Sequence, residues 1–246
     1  MMSLQEPFDV AVITTTTLRP SLKRAVQSIF DQDYSGRVQI LLGIDKHVGD
    51  IAIIDEMQQA CPENMALTII DLGYSTAAAN GGLYTAFSGG AMRTMLSYAA
   101  NSRYITYLDD DNWYAPYHLD QLLMALQGNA WAFSLRWFVD EKTNEILCVD
   151  DFVSVGNGKG VFAKAFGGFV DTNCMVLDKM QFHGILPFWC NALMKNGTAA
   201  DQRVSQAIRK MHLPHGFTGR PSVYYVIEYR RYPFISDILR QRGIIQ

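Results

Sequence analysis

The chain has 246 residues, of which 49% are hydrophobic and 18% are charged, a composition that is typical of one folded domain and excludes an intrinsically disordered chain. Its formal net charge of −3 excludes the basic surface that nucleic-acid binding requires, so we expect no nucleic-acid partner. No segment approaches the roughly 20 consecutive apolar residues that span a bilayer, and the N-terminus lacks a signal-peptide pattern, so we expect a cytoplasmic protein without a transmembrane segment.

The first half of the chain alternates between two kinds of pattern. Apolar, β-branched runs predict strands at residues 8–15, 38–44, 67–72 and 104–108. Helical spacing of apolar residues predicts helices at residues 22–30, 51–60 and 91–100. A passage rich in Gly and Ala occupies residues 73–90. Strands that alternate with helices predict a mainly parallel, Rossmann-like sheet with helices on both faces.

The second half continues without a linker or repeat, so we expect a single domain. The pattern predicts a helix at 116–126, a hairpin at 131–149, a mobile Gly-rich loop at 154–168, strands at 170–177 and 222–227, and a helix at 199–211. The tail at 230–246 mixes basic and apolar residues and is a candidate docking arm and homodimer contact. The widely spaced cysteines form no CxxC pair, which predicts reduced thiols.

Three adjacent aspartates, Asp109, Asp110 and Asp111, follow the fourth predicted strand. Ligands of such sheets bind beyond the carboxyl ends of the strands. Neighbouring carboxylates repel one another unless a cation neutralises them, and Mg²⁺ or Mn²⁺ prefers oxygen ligands. The sequence is therefore consistent with a metal site, and equally with a solvated turn in which Asp111 or Asn112 caps the next helix.

Three segments resemble the family 2 glycosyltransferases of the GT-A fold. They are Val-Ala-Val-Ile-Thr-Thr-Thr-Thr-Leu-Arg-Pro at 10–20, Leu-Leu-Gly-Ile-Asp at 41–45, and Tyr-Ile-Thr-Tyr-Leu-Asp-Asp-Asp-Asn at 104–112, which contains the DxD motif. The resemblance implies a GT-A fold in which residues 8–120 bind a nucleotide-diphospho-sugar and residues 121–229 bind the acceptor. The turn at 14–17 departs from the family because it lacks the usual proline.

The resemblance also implies roles for individual residues. It places Thr15 and Thr17 beside the nucleotide, Asp45 at a uracil-type base, and Arg93 at the diphosphate or the base. It implies that Asp109 and Asp111 bind Mn²⁺ or Mg²⁺, and that Asp109 and Asp110 contact the nucleotide. UDP is the favoured donor nucleotide, and the acceptor is an unidentified sugar, lipid or protein.

Glycosyl transfer passes through an oxocarbenium-like transition state, so an inverting enzyme needs a carboxylate that takes the acceptor proton. The resemblance implies that Asp201 is this base, although Ala200 stands where the family often has a first acidic residue. A helix-capping role is the alternative for Asp201, because acidic residues favour helix N-termini whatever their function. The resemblance also makes His215 a candidate metal ligand, whereas a lone histidine is more often structural.

Further hypotheses concern residues around these motifs. Lys159 or Lys164 in the Gly-rich loop is a candidate to approach the diphosphate, and Trp113 is a candidate to stack on a sugar. A nucleotidyltransferase is an alternative function, but residues 14–20 lack the Gly-rich basic loop that such enzymes usually carry. A non-catalytic nucleotide- or sugar-binding protein of the same fold is a second alternative.

Overall fold

The centre of the protein is one mixed β-sheet. The computed structural model of the chain describes residues 6–86, 89–194 and 199–246. The strands in these ranges are β1 (Phe8–Thr16), β2 (Val38–Ile44), β3 (Met65–Asp71), β4 (Ser102–Tyr107), β5 (Trp113–Tyr114), β6 (Trp131–Asp140), β7 (Ile146–Val149), β8 (Gly156–Asn157), β9 (Gly168–Phe169), β10 (Met175–Asp178) and β11 (His215–Ile227).

Helices flank this sheet because each has one apolar side to bury. In the first of them, Leu22, Ala25, Val26 and Ile29 are all buried against the sheet. The helices are α1 (Leu22–Phe30), α2 (Ala52–Ala60), α3 (Gly90–Ala99), α4 (His118–Leu126), α5 (Ala163–Phe166), α6 (Lys179–Phe182), α7 (Ala200–Lys210) and α8 (Pro233–Gln241). Short 3₁₀ helices lie at Ala78–Asn80, Thr172–Cys174, His183–Cys190 and Tyr229–Arg231.

The order of the strands is β3-β2-β1-β4-β10-β6-β11-β5, with β7 beside β6. Strands β3, β2, β1 and β4 are parallel, as are β6 and β11, and β10 lies antiparallel between β4 and β6. The prediction of a mainly parallel sheet is therefore confirmed, with β5, β7 and β10 as the antiparallel strands. The predicted hairpin at 131–149 is also present as β6 and β7.

The segment predicted as one strand at 170–177 is interrupted. Asp171 accepts a hydrogen bond from the backbone N–H of Asn173 (2.9 Å), so it caps a 3₁₀ turn and only the end of the segment joins the sheet as β10. The local hydrogen bond competes with extended structure, as aspartate side chains often do. The Gly-rich loop is not wholly irregular either, because it contains β8 and α5.

The C-terminal arm folds back on the chain itself. Ile235 and Leu239 of α8 are buried in a second apolar cluster with Phe138 and Phe152. The apolar side of α8 is therefore covered within the protein, and a homodimer contact through the arm stays a prediction. None of the helices in the described part of the chain has the length and apolarity that crossing a membrane requires. The four cysteines are free thiols.

Candidate active site

A cleft of about 550 Å³ opens at the carboxyl ends of the parallel strands. Strands β1, β2 and β4 run side by side in one direction, so the residues that follow them meet at one edge of the sheet. The cleft is lined by all of the predicted site residues except His215, namely Thr15, Thr17, Asp45, Arg93, Asp109, Asp110, Asp111 and Asp201. These predicted residues therefore lie together in one cleft, and their individual roles stay predictions.

Asp109 is held on both of its carboxylate oxygens. Arg93 from α3 donates to Oδ1 (2.6 Å), and the side-chain amide of Asn173 donates to Oδ2 (2.9 Å). The backbone N–H of Asp109 in turn donates to Oδ1 of Asn173 (2.6 Å). Burial raises the pKa of Asp109, whereas the charge of Arg93 opposes the rise. Asp109 is therefore fixed in orientation while its side chain still faces the cleft.

Asp110 is much more deeply buried than its two neighbours. Its side chain is only 2% exposed, and the hydroxyl of Thr16 at the end of β1 donates to its Oδ2 (2.6 Å). Its other oxygen forms an ion pair with Arg19, which follows β1. Both oxygens of Asp110 are thus engaged by the chain, and the predicted nucleotide contact of this carboxylate would have to replace these bonds.

Asp111 is the most exposed carboxylate of the triplet, with 39% of its side chain accessible. Arg19 contacts it as well, with 3.1 Å between Nη1 and Oδ2. Burial and then the nearby charge of Asp109 raise the pKa of Asp111 to about 6. A carboxyl group with this pKa carries an unfavourable charge at neutral pH, which a further cation would relieve.

The donor set of Asp109 and Asp111 fits a hard divalent cation. Both can supply oxygen ligands, and burial raises both pKa values, together with the charge of Asp171 for Asp109 and the charge of Asp109 for Asp111. Mg²⁺ and Mn²⁺ are often bound by one or two carboxylates and complete their coordination with water and substrate phosphates. Among the residues described, no group of three or more His, Cys, Asp or Glu side chains forms a ready cation site.

His215 does not belong to this donor set, which corrects the predicted ligands to Asp109 and Asp111. It begins β11 beside the first residue of β6 and stacks on the ring of Trp131, with centroids 5.0 Å apart. Val226, near the other end of the same strand, lines the cleft. At about 3.3 Å per residue the strand separates the two by roughly 30 Å. His215 follows α7 closely in the sequence, and this proximity misled the prediction that it is a metal ligand.

Asp45 directly follows β2 and is a buried residue of the cleft lining. Its carboxylate accepts hydrogen bonds from the hydroxyl of Ser75 (3.0 Å) and from the backbone N–H (3.3 Å) and hydroxyl (3.4 Å) of Thr76. It therefore fastens the loop that follows β3 over the end of the sheet. A base contact at Asp45 remains a prediction and would be made together with this loop.

Thr15 and Thr17 form the floor of the cleft at the end of β1. The hydroxyl of Thr15 accepts a 3.5 Å hydrogen bond from Arg93. The carbonyl of Thr17 accepts from the backbone N–H groups of Val48 (3.2 Å) and Gly49 (3.1 Å). These contacts tie the end of β1 to α3 and to the loop after β2, so the floor is braced from both sides.

Asp201 lies in the first turn of α7 and lines the same cleft as the aspartate triplet. The residue that precedes the helix, Ala199, has φ +66°, a left-handed conformation, and it lines the cleft too. Burial and then the nearby charge of Asp171 raise the pKa of Asp201 to about 6. A carboxyl group with a pKa near the working pH is suited to general base catalysis.

Asp171 and Asn173 were not anticipated from the sequence. Asp171 accepts from the guanidinium of Arg136 (2.6 Å), which is buried and also pairs with Asp150 (2.8 Å). Asn173 links Asp171 (2.7 Å) to Asp109 (2.9 Å) through one side-chain amide. The Asp-Thr-Asn pattern is a helix-cap signal, and that signal predicted neither the buried arginine nor the link to the triplet.

The other residues singled out in the sequence lie elsewhere. Neither Lys159 nor Lys164 lines the cleft. Trp113 is stacked on Tyr224, with centroids 5.0 Å apart, and the guanidinium of Arg24 lies 3.7 Å from its ring centre. The Trp113 ring is therefore packed against neighbours of its own chain instead of presenting a free face to a sugar.

Comparisons with known proteins identify the fold. No protein-family model matches the sequence, and no curated protein does so either. Among solved structures, S. aureus TarS 1-349 in complex with UDP-GlcNAc aligns with a TM-score of 0.64 at 10% identity, covering 89% of this chain and 59% of that chain. The mannosyltransferase PcManGT from Pyrobaculum calidifontis, in complex with GDP-Man and Mn²⁺, aligns with a TM-score of 0.61 at 13% identity, covering 96% and 61%.

These likenesses concern the fold. The chain has the mixed α/β architecture of proteins that bind nucleotide sugars, which confirms the predicted GT-A fold class. It spans well under two thirds of the full TarS chain, of which 39% is covered. The bound UDP-GlcNAc, GDP-Man and Mn²⁺ belong to those proteins.

Proposed function

We propose that the chain is a glycosyltransferase of the hexosyltransferase type, similar to family 2, that takes a sugar from a nucleotide-diphospho-sugar. The observation that carries the proposal is the single cleft that is lined by Asp201 and by the Asp109–Asp111 carboxylates, in a fold similar to those of TarS and PcManGT. Divalent metal binding by Asp109 and Asp111 and a preference for UDP are parts of the same proposal. The acceptor is a sugar, lipid or protein hydroxyl that enters beside Asp201.

The residues of the cleft have two different roles in the proposed reaction. Asp201 takes the proton of the acceptor hydroxyl, because its pKa of about 6 leaves it ionised yet basic at neutral pH. Arg93 pairs with Asp109 in the same cleft, and its positive charge would stabilise the negative charge that develops on the leaving diphosphate. A bound Mg²⁺ or Mn²⁺ would neutralise part of that charge. Asn173 keeps Asp109 in the orientation that this arrangement needs.

Calorimetry of nucleotide binding tests the donor part of the proposal. UDP, GDP and ADP are titrated into the protein with Mn²⁺ and again with a chelator. We expect one of the three, with UDP favoured, to bind tightly in the presence of Mn²⁺ and at least tenfold more weakly without it. Binding of none of them under either condition would refute the proposal for this chain.

Three matched Asp→Asn variants separate the proposed roles. Asp111→Asn should abolish the effect of Mn²⁺ on nucleotide binding, while Asp201→Asn should bind normally and lose turnover of the donor. Asp33→Asn, at an exposed position in the loop after α1, is the control and should change neither property. If Asp201→Asn retained full turnover, the protein would use another base. If nucleotide bound but no sugar were released or transferred, the non-catalytic alternative would hold.

A further inference from the structure

Arg19 is a charged residue that lines the cleft and takes no part in the proton transfer or the metal binding described above. Its guanidinium is forked between two carboxylates, with one nitrogen on the buried Asp110 and the other 3.1 Å from the exposed Asp111. We propose that Arg19 binds the diphosphate of the donor, exchanging Asp111 for a phosphate oxygen while Asp110 holds its other nitrogen. This inference rests on the proposed nucleotide-sugar donor.

The Asp110 side of the fork is built as an anchor. Asp110 is 2% exposed and receives a second hydrogen bond from Thr16 (2.6 Å), whose hydroxyl also accepts from the backbone N–H of Leu18 (2.8 Å). Leu18 is buried and has φ +62°, a left-handed conformation that is uncommon for this residue type. This fixed turn directs Arg19 toward the aspartates, and strained turns of this kind cluster at ligand sites.

The Asp111 side of the fork is suited to exchange. The side chains of Arg19 and Asp111 are 48% and 39% exposed, so solvent screens their attraction, and such pairs contribute little to stability. The buried Asp110 holds its partner more strongly, because losing that partner would leave an uncompensated charge in the interior. One arginine nitrogen can therefore leave Asp111 for a ligand while the other stays in place.

Phosphate oxygens are the ligand class that this freed nitrogen fits. A guanidinium has several donors in a fixed plane, and it binds phosphates and carboxylates with the same geometry. Release of Asp111 also frees that carboxylate, which the proposed function assigns to a cation. Arg19 and Arg93 then flank the aspartates from the loop after β1 and from α3, so a diphosphate would meet a guanidinium on each side.

Calorimetry with a nucleoside diphosphate and its nucleoside distinguishes this role from others. UDP and uridine are titrated, at fixed Mn²⁺, into wild type, Arg19→Ala, Arg19→Lys and Arg103→Ala. Arg103 pairs with Asp178 near the start of β4, at the end of the strand away from the cleft, and serves as the control for loss of a paired arginine. If wild type prefers GDP, then GDP and guanosine replace the uridine pair.

We expect Arg19→Ala to bind UDP roughly 10- to 100-fold more weakly, as the loss of a charge-assisted hydrogen bond implies, with uridine affinity unchanged. Arg19→Lys should lose nearly as much, because one ammonium does not reach two partners in a plane, and Arg103→Ala should lose nothing. Unchanged or tighter UDP binding by Arg19→Ala, or equal losses for UDP and uridine, would overturn the role of Arg19 alone. Failure of wild type to bind any nucleotide would overturn the donor as well.

Discussion

Replacing Asp201 by asparagine should make the protein more stable at neutral pH while removing its activity. Burial and the charge of Asp171 raise the pKa of Asp201 from 3.8 to about 6. The folded carboxyl group thus holds its proton more tightly than the unfolded one, so stability is lost as the pH rises from about 4 to about 6. At about 1.4 kcal/mol per pH unit, the loss at pH 7 reaches about 3 kcal/mol.

Asparagine has the same shape as the carboxyl group and carries no charge, so Asp201→Asn should recover most of this energy. In a domain of this size, about 3 kcal/mol corresponds to a rise in Tm of roughly 6–12 °C. The gain should shrink to well under 1 kcal/mol near pH 4, where the folded side chain is protonated and the unfolded one is close to half protonated. Donor turnover should fall by roughly 10²- to 10⁴-fold, the usual contribution of a general base.

Thermal and urea denaturation of both proteins at about pH 4, 5, 6 and 7 measure this difference. The alternative role for Asp201, a carboxylate that stabilises the N-terminus of α7, predicts the opposite sign, because its neutralisation would cost about 0.3–1 kcal/mol. A variant that is as stable as wild type or less stable at pH 7 would therefore refute the reasoning, even if its activity were lost.

Three further predictions concern the scaffold. Burial lowers the pKa of His118 to about 3, so stability should fall by about 1.4 kcal/mol per pH unit below about pH 6.5, and His118→Gln should remove this slope in urea titrations. Arg136→Met leaves two buried aspartates without their cation and should cost about 3–5 kcal/mol by urea denaturation; a loss under about 1 kcal/mol would contradict the pairing. Gly49→Ala places a Cβ 1.7 Å from the carbonyl oxygen of Leu18, so it should cost about 1–3 kcal/mol and weaken UDP binding, whereas Gly184→Ala, whose Cβ meets nothing within 4 Å, should do neither.

Much of the nucleotide half of the fold could be predicted because its signals are local. The β-branched runs at β1, β2 and β4 form buried parallel strands close to the predicted bounds. The helices α1 and α3 follow the spacing of their apolar residues in the same way. Once the strands are parallel and adjacent, the residues after them must meet, which is why Asp45 and the aspartate triplet share one cleft.

The parts that could not be predicted depend on contacts between distant segments. The antiparallel position of β10 between β4 and β6 leaves no periodic trace in the sequence. The direction of Asp110 depends on Thr16, which is separated from it by 94 positions. His215 illustrates the same limit. The sequence shows that it follows α7, but not that β11 begins at His215 and reaches the cleft only near its other end.

The carboxylates of the cleft differ from a buried carboxylate elsewhere in the same protein. Burial alone would raise the pKa of Asp178, but hydrogen bonds from Arg103, Gln181 and a backbone N–H lower it, so its charge is stabilised. Asp111 and Asp201 have pKa values raised to about 6 despite nearby arginines.

Hydrogen bonds stabilise the buried charge of Asp178, so this fold can stabilise a structural carboxylate. The raised pKa values of Asp111 and Asp201 are therefore a local property of the cleft. Carboxylates that are destabilised together in one cleft are expected where a ligand supplies the missing positive charge or takes the proton. Under the proposed function, a cation-bound diphosphate would meet this need on the Asp111 side and an acceptor hydroxyl would meet it on the Asp201 side. A protein that only binds nucleotide would leave the raised pKa of Asp201 without a role, which is why the proposal favours transfer.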